Sequence, residues 1–259
     1  MKFGRICSTI LIACFLASNL TACGPSAKEA AWMQKMSDLY SDDSFTLVGE
    51  PEDDSTFTEG NSIELKSAKY PAYQIIVGSA NELSLDAKKR EEPAEYTSPE
   101  QTPLLSNYES IVHEEDIREY DSELLEGLYP ENDFEMMEVR STFAPLVSTN
   151  SEEFISTYAD VSFTAEVYFE EEMPIRKDDI AKLLRFAKAN PRGTDITIYY
   201  YIGDRENKGD YVRKYSLRTD SPEHILYFKY KELTTDDSGK QGYEEETFYK
   251  DVDMSQVRE

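Results

Sequence analysis

Histidines and carboxylates are the side chains of this sequence that could bind a metal ion. Around the segment HEED (113–116), Glu109, His113 and Asp116 would share one face of a helix, because residues three or four apart are neighbours there. Zinc sites need three or four such ligands in a defined geometry. The chain has 52 acidic residues, so a solvated acidic helix face explains the pattern better. We therefore predict no metal ion and no cofactor here.

A second acidic segment, DDSGKQGYEEE (236–246), superficially resembles a calcium loop. Its spacing departs from D-x-[DN]-x-[DN]-G, and Lys240 stands where a carboxylate would be needed. Aspartate and glycine are also the residues that build tight turns between strands. The segment therefore predicts a hairpin turn.

Catalytic motifs are missing from the sequence, which contains no G-x-S-x-G, no H-E-x-x-H and no S-x-x-K. No cysteine follows Cys23, so the later chain has no thiol nucleophile, disulfide or zinc finger. Paired carboxylates could serve a glycosidase, but 52 acidic residues give many chance pairs. We assign no catalytic residue and expect a non-enzymatic protein. The alternative is a hydrolase of cell-surface substrates that uses carboxylates.

Tyrosines are concentrated in the last third of the chain, which holds half of the 18. In DITIYYYIG (195–203), alternation directs the three isoleucines and Tyr200 to the buried face of a strand. Tyr199 and Tyr201 then point to the other face. Rings on an open face could stack on sugars or contact a protein, while ordinary cross-strand pairing of aromatic residues is the alternative. Tyr199 and Tyr201 are the candidate contact patch.

The charge balance narrows the choice of partners. With 27 basic and 52 acidic residues, the formal net charge is −25. A negative field repels the phosphate backbone of nucleic acids, so we expect no nucleic-acid partner. The same field repels anionic lipid headgroups, which disfavours membrane binding through a basic surface.

The first 23 residues have the layout of a secretory signal. MKFGR is a short positive segment, and ICSTILIACFLASNL is an apolar run that is short for a transmembrane helix. LTAC (20–23) then places an apolar residue and two small residues before Cys23. This pattern resembles the lipobox of bacterial lipoproteins.

The resemblance to bacterial lipoproteins implies that residues 1–22 are cleaved and that Cys23 carries a diacylglyceryl group. Acyl chains anchor a protein firmly, since each buried CH₂ contributes about 0.8 kcal/mol. Two alternatives remain open. LIAC (11–14) is also similar to a lipobox, although Ile12 stands where a small residue is preferred. The segment could also be an uncleaved anchor in which Cys23 is incidental.

The elements of the N-terminal lobe, residues 27–140, begin directly behind this cysteine. Ser26 and Glu29 form an S-x-x-E capping box, which predicts a helix over about residues 27–40. Residues 23–26 leave a tether that reaches about 10 Å when extended. Three short β-rich runs follow, and then a proline-rich acidic loop at 84–104, a helix at 105–128 that could break in its middle, and the strand DFEMMEV.

A linker at 141–160 leads to the C-terminal lobe, residues 161–259. This lobe begins with the alternating strand DVSFTAEVYFE and the amphipathic helix RKDDIAKLLRFAKAN. Four alternating runs joined by short turns predict an antiparallel meander; they are 195–202, 211–219, 224–233 and 243–250. We expect a four- to five-stranded sheet curled around one helix, similar by analogy to cystatin and NTF2-type domains.

The sequence thus predicts an α+β fold, mainly antiparallel sheet with a few helices. The expected function is that of a lipoprotein held by its lipid anchor on the outer face of the bacterial cytoplasmic membrane, or in the outer membrane if the source is Gram-negative. There it would act as a binding or accessory protein for a protein or cell-wall partner.

Overall fold

The computed structural model describes residues 25–49, 62–79, 103–170, 172–190, 193–206, 209–221, 224–236 and 238–249. The predicted signal segment, Cys23 and the proline-rich loop up to residue 102 lie outside these ranges. Among the described helices, none combines the length and the apolar character needed to cross a membrane.

The fold consists of helices and two mainly antiparallel sheets, so the predicted α+β class is confirmed. The helices are α1 Ala27–Leu39, α2 Tyr108–Val112, α3 Glu114–Leu128, α4 Ser151–Thr157 and α5 Arg176–Ala189. The strands are β1 Phe45–Gly49, β2 Ser62–Ser67, β3 Ile75–Ser79, β4 Leu104–Ser106, β5 Asp133–Val139, β6 Ala144–Pro145, β7 Val161–Phe169, β8 Thr194–Ile202, β9 Arg213–Ser221, β10 His224–Thr235 and β11 Gln241–Tyr249.

Helix α1 begins as the capping box predicts. The Glu29 backbone N–H donates to Ser26 Oγ at 3.3 Å, and the Ser26 backbone N–H donates to the Glu29 carboxylate. These two bonds satisfy amide groups that the first turn of a helix otherwise leaves without partners. Trp32 and Met36 form the buried side of α1. The predicted cap and the start of the helix are confirmed.

The first sheet has the strand order β1-β2-β3-β4-β6, with every neighbouring pair antiparallel. Helices α1 and α2 contribute to its core through Met36, Tyr108 and Ile111, which pack with Leu65 and Val77 of the sheet. The helix predicted over 105–128 begins later, because its first residues form β4. It is divided into α2 and α3, which meet at His113, so the predicted interruption is confirmed.

The second sheet has the order β11-β10-β9-β8-β7-β5. Strands β8 to β11 form the predicted antiparallel meander. Two features correct the expected four- to five-stranded sheet. β7 and β8 are parallel, because α5 provides the crossover that parallel strands require. β5 adds a sixth strand by pairing with β7, which lets Phe134 and Met136 pack against the core.

The predicted linker at 141–160 contains β6 and α4. β6 pairs with β4 in the first sheet, whereas β5, which precedes it, pairs with β7 in the second. The chain therefore enters the second sheet, returns to the first and then completes the second. Residues 133–139, which the sequence assigns to the N-terminal lobe, belong to the second sheet.

Helix α5 covers the inner face of the second sheet. Its predicted apolar stripe is buried and packs against residues of β7 to β10. The stripe consists of Ile180, Leu183, Leu184 and Ala187. Side chains that alternate away from α5 form the outer face of the same sheet.

A buried charge network joins the start of α5 to the meander. Glu232 on β10 accepts hydrogen bonds from Arg213 Nε at 3.0 Å and from Arg213 Nη2 at 2.6 Å. Arg176, the first residue of α5, also donates to Glu232. Arg213 and Glu232 are 5% and 8% exposed, so this network is screened little by water.

Candidate functional site

The outer face of the meander places residues in rows that cross several strands. In one row, Tyr199 on β8 is opposite Lys214 on β9, Lys214 is opposite Lys231 on β10, and Lys231 is opposite Glu245 on β11. Directly opposite residues in an antiparallel pair have Cβ atoms about 5 Å apart, so their side chains interact. The two lysines therefore lie side by side near the middle of the row.

The next row extends the same surface. Ser216 on β9 is opposite Lys229 on β10, which brings a third lysine to the face. Between the rows lies a depression of about 410 Å³, here called the lysine groove. The described residues that line it are Tyr211, Lys214, Ser216, Tyr227, Lys229, Lys231 and Glu245.

The charge of the lysine groove is opposite to that of the chain. Its described lining has three lysines and one glutamate, 3 − 1 = +2, whereas the chain carries −25. Glu245 Oε1 lies 2.6 Å from Lys229 Nζ. The hydrogen bond from Lys229 is the largest cause of the lowered pKa of Glu245. Glu245 is therefore ionised at neutral pH and is unsuited to act as a general acid.

Lys214 and Lys231 make different contacts from Lys229. Lys214 Nζ donates to the Tyr199 hydroxyl at 2.8 Å and lies 4.6 Å from the centre of that ring. Lys231 Nζ lies 4.9 Å from the centre of the Tyr243 ring. Cation–π contacts of this kind contribute about 0.5–1 kcal/mol at exposed sites. Like charges directly opposite each other destabilise a sheet, so folding alone does not favour this lysine pair.

Tyrosines form one edge of the groove. The ring centres of Tyr199 and Tyr211 are 5.2 Å apart, and those of Tyr211 and Tyr243 are 4.9 Å apart. The Tyr243 hydroxyl donates to the Tyr211 carbonyl oxygen at 2.8 Å. Burial is the largest cause of the raised pKa of Tyr243 and of Tyr227. Both hydroxyls therefore remain protonated, and able to donate, at neutral pH.

The structure separates the two residues of the candidate contact patch. Tyr199 is half-buried at the edge of the lysine groove. Tyr201 is only 9% exposed, since its ring stacks on Tyr168 of β7 at 5.6 Å and its hydroxyl donates to Glu166 at 3.2 Å. Ile202, which alternation assigns to the buried face, is 46% exposed at the end of β8.

The residues considered for a metal site have other contacts. His113 Nε2 lies 3.1 Å from Glu109 Oε2 and 3.1 Å from the Thr149 carbonyl oxygen, whereas Asp116 is 3.9 Å from Nδ1. The Thr149 hydroxyl also donates to Glu109. The ring thus connects the α2–α3 joint with the segment before α4. Within the described ranges, no group of three His, Cys, Asp or Glu residues could hold a metal ion.

The turn between β10 and β11 is the hairpin that the sequence predicts. Asp236 Oδ1 accepts hydrogen bonds from the backbone N–H groups of Ser238 and Lys240 at 2.9 and 3.0 Å. Gly239 has φ +81°, which favours glycine. A further hydrogen bond, from the Ser238 hydroxyl, is the largest cause of the lowered pKa of Asp236. This carboxylate therefore stabilises the turn.

Sequence reasoning missed the lysines of the groove. Lys214, Lys229 and Lys231 alternate with buried residues in RKYS and FKYKE, so their common face could be read from the strand period.

No family model, curated protein or solved structure matches the chain.

Proposed function

We propose that this protein is a lipid-anchored extracytoplasmic binding protein, which holds an anionic partner of the cell envelope in the lysine groove. The observation that carries the proposal is the local charge of +2 in a chain of −25. If the charges of so acidic a chain were scattered evenly over its surface, carboxylates would surround most of the lysines. An approaching anion would then be repelled at most places. Complementary charge of this kind gives a surface its specificity and suppresses wrong partners.

Charge reversal of the lysine pair tests the proposed function. We expect Lys214→Glu/Lys231→Glu to weaken binding of anionic partners at least about tenfold, since about 1.4 kcal/mol corresponds to a factor of ten. The measurement is retention of the domain that begins at residue 23 on a panel of immobilised anionic polysaccharides, phosphopolymers and acidic peptides. It is made at about 0.15 M salt, where screening limits attraction to short range.

The control is Lys66→Glu/Lys188→Glu, which makes the same change in net charge at exposed positions on β2 and α5. If both double variants lose retention equally, the overall charge of the chain governs binding, and the groove is not the site. If the unaltered domain is retained by no anionic member of the panel, the proposed function is wrong.

The proposed anchor is tested at Cys23. We expect Cys23→Ala to abolish labelling by a fatty-acid analogue and to leave the precursor unprocessed, because the thiol is the atom that the lipid modifies. Cys14→Ala is the matched control and should keep both labelling and processing. Persistent labelling of the Cys23→Ala protein, together with its loss in Cys14→Ala, would move the lipidation site to Cys14.

A further inference from the structure

We propose that the anion bound in the lysine groove is a phosphate group on a polymer whose phosphates are separated by neutral, hydroxyl-rich units. This inference rests on the proposed function and specifies its ligand. Its basis is the arrangement of donors in the groove, the position of Glu245 and the charge of the surrounding chain.

The donors of the groove suit a tetrahedral oxyanion. Lys214 and Lys231 project from directly opposite positions, so their ammonium groups can approach one anion from two sides. Ser216 and Tyr227, which also line the groove, add hydroxyl donors. All cations of the described lining are lysines. Lysine binds phosphate as a point charge, and a phosphate offers acceptor oxygens in several directions.

Glu245 disfavours a ligand with single carboxylates. It already pairs with Lys229 at 2.6 Å and is covalently held beside the other two lysines. A carboxylate from solution would have to compete with this internal carboxylate for equivalent contacts, at the high effective concentration that a tethered group has. A phosphate can contact Lys214 and Lys231 together while Glu245 remains on Lys229.

The remaining surface limits how densely the ligand can be charged. At physiological salt, charges more than about 8 Å apart are largely screened, so each phosphate responds to its own surroundings. A phosphate bound in the groove is attracted by the net charge of +2 of the described lining. On a densely charged polyanion, the adjacent charges would lie over the surrounding surface of a chain whose net charge is −25, and they would be repelled. Neutral spacers avoid that repulsion. A flat anionic bilayer is disfavoured for the same reason, because it would present many charges to the acidic surface at once.

The test compares four probes by titration calorimetry with the domain that begins at residue 23. They are an oligomer of glycerol phosphate, polyglycerol of equal length, poly-L-glutamate and vesicles of anionic phospholipid. We expect the glycerol phosphate oligomer to bind at least about fivefold more tightly than poly-L-glutamate, and polyglycerol not to bind. Lys214→Gln and Lys231→Gln should each weaken binding of the glycerol phosphate oligomer severalfold.

Glu245→Gln provides a gain of function that a damaged fold cannot imitate. Replacing Glu245 by glutamine removes the negative charge from the groove and should strengthen binding of glycerol phosphate by about 1.5-fold to fivefold, which is the effect of one exposed charge pair. The matched control, Glu119→Gln, removes an exposed charge on α3 and should leave the affinity unchanged.

The possible outcomes separate this inference from the proposed function. If poly-L-glutamate binds more tightly than glycerol phosphate and depends on Lys214 and Lys231, the phosphate inference is wrong and the binding function stands. Tighter binding to the vesicles than to the oligomer would identify a lipid headgroup as the source of the phosphate and overturn the polymer. If glycerol phosphate does not bind, or Glu245→Gln does not strengthen its binding, the phosphate inference is also wrong.

Discussion

Glu232→Gln lowers the free energy of unfolding by about 3–5 kcal/mol, the range found when one partner of a buried ion pair is removed. Glu232 is 8% exposed and binds both Arg213 and Arg176. Glutamine has nearly the same shape but no charge, so it leaves two guanidinium groups without their common counter-ion. Urea unfolding followed by circular dichroism measures the loss, with the slope of the transition expected to stay unchanged.

The control for this effect is Glu135→Gln on β5. Glu135 Oε2 lies 3.9 Å from Arg205 Nη1, and both side chains are more than 40% exposed. Exposed pairs contribute at most about 1 kcal/mol, so the control should barely move the transition. A Glu232→Gln protein as stable as the control would show that water reaches the network in solution.

Asp43→Asn is expected to destabilise the first sheet by about 2 kcal/mol, because a buried or half-buried hydrogen bond to a charged group contributes about 1.5–3 kcal/mol. Asp43 Oδ2 accepts from the Tyr108 hydroxyl at 2.7 Å and from the Ser67 hydroxyl. Its Oδ1 accepts from the backbone N–H groups of Ser44 and Lys69 at 2.7 and 3.1 Å. In asparagine, an amide NH₂ group replaces one of the two carboxylate oxygens. This group is a donor, so it cannot accept the two hydrogen bonds that the oxygen accepted.

The contribution of Asp43 depends on pH in a defined direction. Burial acts to raise the pKa of this carboxyl group, but hydrogen bonds led by Ser67 and Tyr108 outweigh burial, so the pKa lies below its ordinary value. A carboxyl group with a lowered folded pKa stabilises the protein fully above its unfolded pKa of about 4 and loses this effect as the pH falls through the folded value. The difference in unfolding free energy between the parent protein and Asp43→Asn should therefore shrink between pH 6 and about pH 3.

The neighbouring residue provides the control for Asp43. Asp42 is exposed and pairs only with Lys69 among the contacts described for its side chain, so Asp42→Asn should change stability little at either pH. If the two variants behave alike, the hydrogen bonds to Asp43 do not contribute to folding in solution.

Local signals in the sequence predicted the elements well. The capping box at Ser26 and Glu29 fixed the start of α1, and the apolar stripe around Leu183 identified α5. Alternation and short turns predicted β8 to β11, because neighbouring strands in a meander are also neighbours in sequence. These features depend on contacts between residues close along the chain.

Long-range pairing was predicted less well. DFEMMEV was expected to be a strand, but its alternation does not specify β7 as its partner. The parallel pairing of β7 with β8 had a visible signal, since a strand, a helix of 14 residues and another strand form a typical parallel crossover. The analogy with a curled antiparallel sheet obscured that signal.

The candidate site shows the same limit. Alternation placed Tyr199 and Tyr201 on one face, but only the neighbouring strand decides which ring is covered. Tyr168 and Glu166 of β7 bury Tyr201, whereas Tyr199 adjoins Lys214 of β9. The lysine pair required the register of β9–β10 before its members became neighbours, and the register of β8–β9 before Tyr199 joined them.

Among the strands that the structure describes, β11 is the last of the second sheet, and this position affects how copies of this protein meet. An edge strand offers unpaired backbone groups, which can pair with a second chain and start aggregation. β11 carries three consecutive glutamates, 244–246, so two such edges brought together would place carboxylate next to carboxylate. The proposed lipid anchor would crowd many copies onto one membrane and raise the risk of such contacts, and this acidic border would keep the crowded molecules apart.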